Sequence, residues 1–366
     1  MKKEYNAINQ EGTTKELEKY FETKTMRRLQ KIGLFCGMDY TSIASLKPIE
    51  YYSRLDHSKN VAYTAWKCSE DLKIALTGAF HDVGTLSFSH VNSFKQGNSI
   101  LQDQDEREIE SILKQDEELL EYLEEDKIKL EEVIYPKKYP LIDKEIPALC
   151  LDRVDSILAT CLFWTHTHSI NTIQSLYYML IYLESIKGLS YDEANSRLKN
   201  FQGELALTED GVTTTFEDFF AAIHTYSKKL LSKEDRYMME LFGLTLKYYE
   251  DIGIIQEEDL WNLGEEEVIQ KIRNSKKKDV LQDVLAVSKV EFAKDEDEGL
   301  ILRPKPKIRQ ANPLCLSQME LSEIQTITGL FYRELNPLEE SLEEINRPLK
   351  APLTKETVKI LSKYKR

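Results

Sequence analysis

The chain contains 366 residues, of which 41% are hydrophobic and 31% are charged, and its formal net charge is −14. This length and composition are typical of a folded globular protein with a full core, and not of a disordered chain. Because an acidic surface repels phosphate backbones, nucleic acid is not an expected partner.

Helical periodicity runs through most of the chain and divides it into four predicted segments. Residues 1–25 are predicted to form an extended or loosely helical N-terminal arm, and residues 26–170 a helical core. Residues 171–298 are predicted to continue as amphipathic helices that complete this core. Residues 299–366 are predicted to form a tail of mixed α and β structure. The predicted class is therefore mainly α, with a minor β element.

Two stretches of the later segments carry specific predictions. The apolar sequence SLYYMLIYLESI, residues 175–186, is too short to span a membrane and is predicted to be a buried helix. The tail sequence GLILRPKPKIRQANPLCL, residues 299–316, combines apolar residues with prolines and predicts irregular structure with a small sheet edge.

The cysteine pattern and the N-terminal sequence predict a cytoplasmic location. The five cysteines form no CxxC pair, which disfavours a disulfide framework and a zinc knuckle. The first residues, MKKEYNAINQEGTTKELEKY, lack the apolar segment of a secretory signal. No membrane contact is expected.

The sequence LTGAFHDVGTLSFSH, residues 76–90, contains two of the six histidines and places His81 directly before Asp82. Residues 69–71 predict a helix start, with a hydroxyl cap and acids in the first turn. Gly84 predicts the end of that helix in a left-handed turn, so the pair is expected in the last helical turn. A histidine and an aspartate together supply ligands that suit a divalent cation. The alternative is a core histidine, since a metal site needs two further ligands.

Two residues elsewhere in the chain are candidates for the missing ligands. His57 lies near the start of a second predicted helix, which is indicated by apolar residues at helical spacing over 61–66. Asp152 lies on a third predicted helix, opposite its apolar stripe. An acid on an otherwise well-packed helix must face water, a partner or a metal.

The order of these residues resembles the signature of a known family. His57, His81–Asp82 and Asp152 resemble the H…HD…D pattern of the HD-domain metal-dependent phosphohydrolases. The wider sequence is similar to the deoxynucleoside triphosphate triphosphohydrolase-like branch over roughly residues 26–260. The motifs that carry this similarity are RRLQKIG at 27–33, SRLDHS at 53–58, HDVGTLSFSH at 81–90 and DRVD at 152–155.

The resemblance implies which residues hold the metal. The ligands are His57, His81, Asp82 and Asp152, and the ion is a divalent cation for which Mn, Fe, Co, Ni, Zn and Mg all stay open. Such a set leaves positions for water and a phosphate oxygen.

The resemblance also implies three residues that act on substrate. Arg54 matches an arginine that contacts phosphate, and a structural salt bridge is its alternative. His90 matches a histidine that delivers or accepts a proton at the scissile bond, and a packing histidine is its alternative. Arg153 matches a basic position beside the metal-binding aspartate that touches phosphate.

Several positions depart from the pattern of this branch. Thr85 replaces the second histidine of H-D-x-G-H, Ser156 replaces the tyrosine of D-R-x-D-Y, and Thr160 replaces a later aspartate. Leu34 falls near the glutamine that reads the deoxyribose, and Asp105 stands where a histidine is often found. The expected metal ligands are thus intact, while the residues expected around the sugar are changed. Such changes alter the discrimination between substrates more than the hydrolysis itself.

The predicted function is a metal-dependent phosphohydrolase that acts on nucleotides, most like a deoxynucleoside triphosphate triphosphohydrolase. One alternative is a phosphatase for another nucleotide or a phosphomonoester, and another is a degenerate nucleotide-binding sensor without turnover. The resemblance also implies a homo-oligomer and a nucleotide effector site.

Five further residues are weaker candidates for this site. His166 and His168 could line a cleft, but surface or capping histidines are the favoured interpretation. Lys228, Lys229 and Arg236 fall where basic residues reach phosphates in the family, and a solvated helix face is an equal alternative.

Overall fold

Helices build most of the protein and pack around one hydrophobic core, so the predicted class is confirmed. The structure is a computed structural model that describes residues 1–97, 109–178, 180–183, 204–208, 213–305, 307, 309, 311, 314–316, 331–332 and 345–365. Within these ranges the helices are α1 (Lys2–Gln10), α2 (Glu16–Phe21), α3 (Lys24–Arg28), α4 (Arg54–Ser69), α5 (Leu72–Phe80), α6 (Val91–Lys95), α7 (Ile109–Leu113), α8 (Glu117–Glu125), α9 (Leu151–Ala159), α10 (Ile170–Tyr178), α11 (Thr213–Leu230), α12 (Lys233–Asp251), α13 (Glu257–Asn262), α14 (Glu265–Arg273), α15 (Asp279–Leu285) and α16 (Lys355–Leu361).

Short helices of other types join these elements. A π-helix, Thr160–Trp164, follows α9 directly. The 3₁₀ turns that the structure describes are Leu29–Lys31, Met38–Tyr40, Ala44–Leu46, Leu130–Glu132 and Pro136–Lys138.

Two small sheets form the β part of the described residues. The strands are β1 (Leu180–Leu183), β2 (Glu204–Thr208), β3 (Glu291–Phe292), β4 (Leu314–Leu316), β5 (Phe331–Tyr332) and β6 (Leu349–Lys350). The larger sheet has the order β1-β2-β4-β5, in which only β2 and β4 are parallel. The smaller sheet pairs β3 with β6. Strand β4 lies in the tail sequence for which a sheet edge is predicted, but it pairs with β2 on one side and with β5 on the other, so it is an inner strand and not an edge.

The prediction of one helix over residues 175–186 is wrong. Helix α10 ends at Tyr178, and Leu180–Leu183 form strand β1, which pairs antiparallel with β2. A short apolar run has no periodicity that separates a buried strand from a buried helix, and the partner strand lies outside the run.

The first 25 residues, predicted as an arm, pack against the core as helices α1 and α2. Tyr5, Leu17, Tyr20 and Phe21 are fully buried. Helix α1 packs against α4 and α10, and α2 packs against α5. Buried aromatic rings fix these short helices, which would be marginal alone. The predicted domain boundaries stay a prediction.

Helices α4 and α5 pack side by side and position the candidate site. Ser53 and Asp56 form a capping box that starts α4, and Asp71 caps α5 by accepting from the backbone N–H of Lys73. Gly78 permits the close approach, since a Cβ there would lie 3.1 Å from Val61 Cγ1 on α4.

The turn after α5 differs from its prediction. Helix α5 ends at Phe80, so His81 and Asp82 follow its last turn, and Gly84 does not have a left-handed conformation. The left-handed residues of this segment are Phe88 and Ser89, with φ of 65° and 46°. They bring His90 back towards the end of α5.

Asp105 lies outside the described residues. In the described part of the chain, no helix combines the length and hydrophobicity that a membrane span requires.

Candidate active site

Three helix ends bring predicted metal ligands together. His57 lies in the first turn of α4, His81 directly follows α5, and Asp152 lies in the first turn of α9. One ligand atom from each residue lies within 4.8 Å of the other two. We call these three residues the His–Asp cluster.

The two imidazole rings of this cluster face each other through their Nε2 atoms. Nδ1 of His57 donates to Asp155 Oδ2 at 2.6 Å, and Nδ1 of His81 donates to the carbonyl oxygen of Gly78 at 2.7 Å. Because each Nδ1 directs its proton to an acceptor, the two Nε2 atoms are left to face each other at 3.2 Å. Asp152 Oδ1 lies 3.1 Å from Nε2 of His57 and 3.7 Å from Nε2 of His81.

This donor set fits a divalent cation. Two nitrogen lone pairs and a carboxylate repel one another unless positive charge lies among them. A single proton joins two of the three atoms, whereas a metal ion binds all three. Nitrogens that both bind a zinc-like ion lie about 3 Å apart. The acceptors at both Nδ1 atoms are of the kind that orient metal-binding histidines.

Protonation of the imidazoles shows how strongly the cluster attracts positive charge. Burial lowers the pKa of His57, but hydrogen bonds to Asp152 and Asp155 outweigh it and raise the pKa to about 10. Burial likewise lowers the pKa of His81, and the charge of Asp82 with a hydrogen bond to Asp152 raises it overall. Burial raises the pKa of Asp152, but hydrogen bonds from the two histidines hold it well below its usual range.

Asp82 lies at the edge of the His–Asp cluster and is bound by Arg54. Its Oδ2 lies 3.7 Å from His81 Nε2, 3.8 Å from His57 Nε2 and 2.7 Å from Arg54 Nη1. Burial raises the pKa of Asp82, but the charges of Arg54 and both histidines hold it well below its usual range. Arg54 Nε also donates to Ser89 Oγ at 3.1 Å. Arg54 therefore forms a structural salt bridge, which is the alternative to its predicted contact with phosphate.

His90 forms a hydrogen bond that fixes its protonation. Arg309 Nη2 donates to His90 Nε2 at 2.9 Å. Burial lowers the pKa of His90 well below its usual range, and the charges of Arg309 and Arg54 lower it further. His90 is therefore neutral at pH 7, and its Nε2 accepts.

One cavity is lined by two residues of the His–Asp cluster and by the predicted substrate contacts, while His57 is fully buried behind it. His81, Asp82 and Asp152 line it. Arg54, His90 and Arg153 line the same cavity. Five of its lining residues are arginine or lysine, in a chain whose net charge is −14. Four are aspartate, of which Asp82 and Asp152 lie at the candidate cation site, so with a cation bound there the cavity suits an anionic ligand.

The changed positions of the family pattern lie at this cavity as well. Leu34, Ser156 and Thr160 all line it. Thr85 is fully buried instead, and its Oγ1 donates to Asp82 Oδ1 at 3.3 Å.

Sequence reasoning missed several cavity residues, three of which are charged groups from α12 and the tail. Lys307 and Arg309 come from the tail, where the basic run RPKPKIR in an acidic chain was the available signal. Asp235 of α12 also lines the cavity, and burial raises its pKa to about 7. Arg236 lines the cavity and donates to the carbonyl oxygens of Leu231 and Ile345.

The other weak candidates lie elsewhere. His166 is exposed, and His168 donates through Nε2 to the carbonyl oxygen of Asp218. Lys228 is exposed, while Lys229 donates to the carbonyl oxygen of Ser45 and lies over the ring of Trp164. None of these four is a lining residue of the cavity.

A second set of donors, Asp143, Cys150 and Asp152, is less suited to a metal. Arg153 already places positive charge there, with Nη1 at 3.2 Å from Cys150 Sγ and Nη2 at 3.5 Å from Asp143 Oδ1. Burial raises the pKa of the Cys150 thiol to about 12, so it is protonated. The His–Asp cluster is the better cation site.

Comparison with known proteins agrees with this geometry. Residues 54–160 match the family model of the HD domain. The chain also resembles the crystal structure of a phosphohydrolase from Bacteroides thetaiotaomicron, with a TM-score of 0.59, 12% sequence identity, and coverage of 92% of this chain and 95% of that chain. No curated protein matches the chain. The range that matches the HD-domain model contains the whole His–Asp cluster, and the chain shares its fold with that phosphohydrolase.

Proposed function

We propose that the protein is a metal-dependent phosphohydrolase that acts on nucleotides, most like a deoxynucleoside triphosphate triphosphohydrolase. The observation that carries this proposal is the convergence of His57 Nε2, His81 Nε2 and Asp152 Oδ1 at a cavity lined by arginine and lysine. Hydrolysis at phosphorus needs a cation site, groups that hold phosphate and a proton acceptor, and the cavity offers all three. The HD-domain match and the name of the structural relative support this class of reaction.

The residues that would hold the divalent ion are His57, His81 and Asp152, with Asp82 beside them. When bound, such an ion polarises a phosphoryl group and makes water a better nucleophile. The identity of the ion stays open.

The cationic side chains of the cavity hold and orient the phosphate groups. Arg309 and Lys307 line the cavity from the tail, and Arg54 lines it from α4. A guanidinium has five N–H donors in a planar fork, so Arg54 can bind a phosphate oxygen while Nη1 stays on Asp82. Arg153, which lines the same cavity, adds positive charge beside Asp152.

His90 is proposed to accept a proton from the attacking water. Its Nε2 accepts from Arg309 in the absence of substrate, and a phosphate that binds Arg309 frees this lone pair. The neutral ring is then ready to take a proton at neutral pH. The ring holds that proton near the bond that breaks, from where it can return to the leaving group.

The reaction class is tested by incubating the protein with a panel of nucleotides and divalent metals and separating the products by chromatography. We expect inorganic triphosphate and a nucleoside from a nucleoside triphosphate. Release of single phosphate would instead identify a phosphatase. Tight nucleotide binding with no product under any metal would identify a sensor and contradict the proposed hydrolase.

Discrimination between sugars is expected to be weak. Leu34, Ser156 and Thr160 line the cavity in place of the family's larger polar residues, so the side chains that would hydrogen-bond the 2′ position are changed. We predict that matched deoxy- and ribonucleotides differ in kcat/KM by less than about tenfold, well under the discrimination of a site built to hydrogen-bond one of them. A preference of about a thousandfold for the deoxy form would show that other residues read the sugar. The homo-oligomer, the nucleotide effector site and the cytoplasmic location stay predictions.

A further inference from the structure

Asp155 is a buried carboxylate held by four donors. Only 2% of the residue is exposed. Tyr5 Oη donates to Oδ1 at 2.7 Å, Tyr177 Oη to Oδ1 at 3.2 Å, and Tyr52 Oη to Oδ2 at 2.9 Å. The fourth donor is His57 Nδ1, at 2.6 Å from Oδ2. We call Tyr5, Tyr52 and Tyr177 the tyrosine cage.

The tyrosine cage joins distant parts of the chain. Tyr5 belongs to α1, Tyr52 precedes α4, and Tyr177 lies in the last turn of α10. The rings are packed: Tyr5 meets Tyr52 edge to face with centroids 5.8 Å apart, and Tyr52 stacks on Phe163 at 4.9 Å. The N-terminal helix thus supplies one of the hydroxyl groups that fix Asp155.

The cage keeps Asp155 oriented and its phenols protonated. Burial raises the pKa of all three tyrosines well above the usual range, and the charge of Asp155 raises it further, so each hydroxyl stays a donor. A carboxylate with donors at both oxygens cannot rotate without breaking hydrogen bonds in a dry site. Oδ2 therefore stays aimed at His57 Nδ1, which keeps Nε2 directed at His81 and Asp152.

We propose that Asp155 is a positioning residue for the metal site, and that Tyr5 makes the N-terminal helix α1 part of that site. This inference rests on the proposed metal-binding role of His57. Because linkage is reciprocal, metal binding then also stabilises the docking of α1. The sequence distance of 150 residues between Tyr5 and Asp155 makes α1 a remote determinant of metal affinity.

Tyr5→Phe tests the inference, with Tyr20→Phe as its matched control. Both tyrosines are fully buried in N-terminal helices, and both donate to an aspartate at 2.7 Å, Tyr5 to Asp155 and Tyr20 to Asp126. Only Tyr5 connects to a histidine of the cluster. The measurements are the Kd for Co²⁺ of the full chain, the visible absorption of the bound Co²⁺, and the Tm without metal.

We expect Asp155→Asn to weaken Co²⁺ binding about 10- to 100-fold and Tyr5→Phe about 3- to 10-fold, with a changed cobalt absorption in both. Tyr20→Phe should lower Tm by a similar amount to Tyr5→Phe and leave Kd and absorption at wild-type values. In Asp155→Asn, adding Tyr5→Phe should have little further effect on Kd, whereas independent effects would multiply.

Two results would overturn the inference and are distinguishable. If wild type binds Co²⁺ but Tyr5→Phe matches Tyr20→Phe in Kd and absorption, the cage is merely structural while the proposed metal site stands. If wild type itself binds no Co²⁺, Mn²⁺ or Zn²⁺, the proposed metal site fails and the inference fails with it. If Asp155→Asn does not fold, Tyr5→Phe and Tyr177→Phe decide the question alone.

Discussion

Replacement of Asp152 by asparagine is expected to lower turnover by at least about 10³-fold, since a bound cation is worth several kcal/mol of transition-state stabilisation. The change removes the carboxylate that faces both Nε2 atoms. Asp152 is a better residue to replace than the other proposed ligands, because its side chain is 33% exposed. An amide of the same shape therefore leaves the core intact. His57 is fully buried, and Asp82 is paired with Arg54, so their loss also disturbs folding.

The measurements are steady-state turnover and metal affinity, made beside an Asp143→Asn control. Asp143 lines the same cavity but belongs to the alternative donor set with Cys150. We expect Asp143→Asn to keep its metal. Because Asp152 belongs to both donor sets, the control decides between them: loss of the metal in Asp143→Asn would show that the ion is bound by the set that contains Asp143 and Cys150.

His90→Ala is expected to lower turnover by about 10²- to 10⁴-fold while metal content and Tm stay close to wild type, as for loss of a positioned base. A packing histidine would behave in the opposite way, with Tm reduced and turnover per folded molecule preserved. His168→Ala is the control, because His168 is partly buried like His90 but donates to a backbone oxygen instead of accepting from Arg309, and it does not line the cavity. Turnover above about half of wild type in His90→Ala would return His90 to a structural role.

The pH dependence tests the same proton-accepting role. Since burial and the charges of Arg309 and Arg54 lower the pKa of His90, the neutral form persists below pH 6.5 and the rate should hold between pH 8 and pH 6. Arg309→Gln keeps a donor but removes one charge, so the pKa of His90 should rise and the ratio of the rate at pH 6 to that at pH 8 should fall. An unchanged ratio would show that protonation of His90 does not control the fall in rate at low pH. A depressed histidine pKa also means that stability falls as pH drops below about 6.5, because the unfolded chain binds the proton more tightly.

The proposed metal ligands could be predicted from the sequence because each lies near a helix end, although the Gly84 signal misplaced the end of the helix before His81. Ser53 and Asp56 cap α4, which carries His57, and the apolar stripe of α9 leaves Asp152 on the opposite side. Local capping and periodicity define such positions, and the order of the motifs relates them to one another.

The remainder of the site depends on contacts between distant residues, which periodicity does not encode. Arg309 reaches His90 across 219 residues, and Tyr5 reaches Asp155 across 150. Asp155 shares a helix side with the partly exposed Asp152, so only the packing of α1 and α10 against it reveals that it is buried. Likewise, strand β1 required its partner β2 to be distinguished from a helix.

Elemental analysis tests most directly whether His57, His81 and Asp152, with Asp82, bind a divalent ion. The protein is stripped with a chelator, reloaded with a transition metal and dialysed, beside a variant with both His81→Ala and Asp82→Ala. We predict about one ion per chain in wild type, since the described residues hold one well-suited donor set, and no ion in the double variant. A double variant that retains full metal occupancy would contradict the assignment of the site.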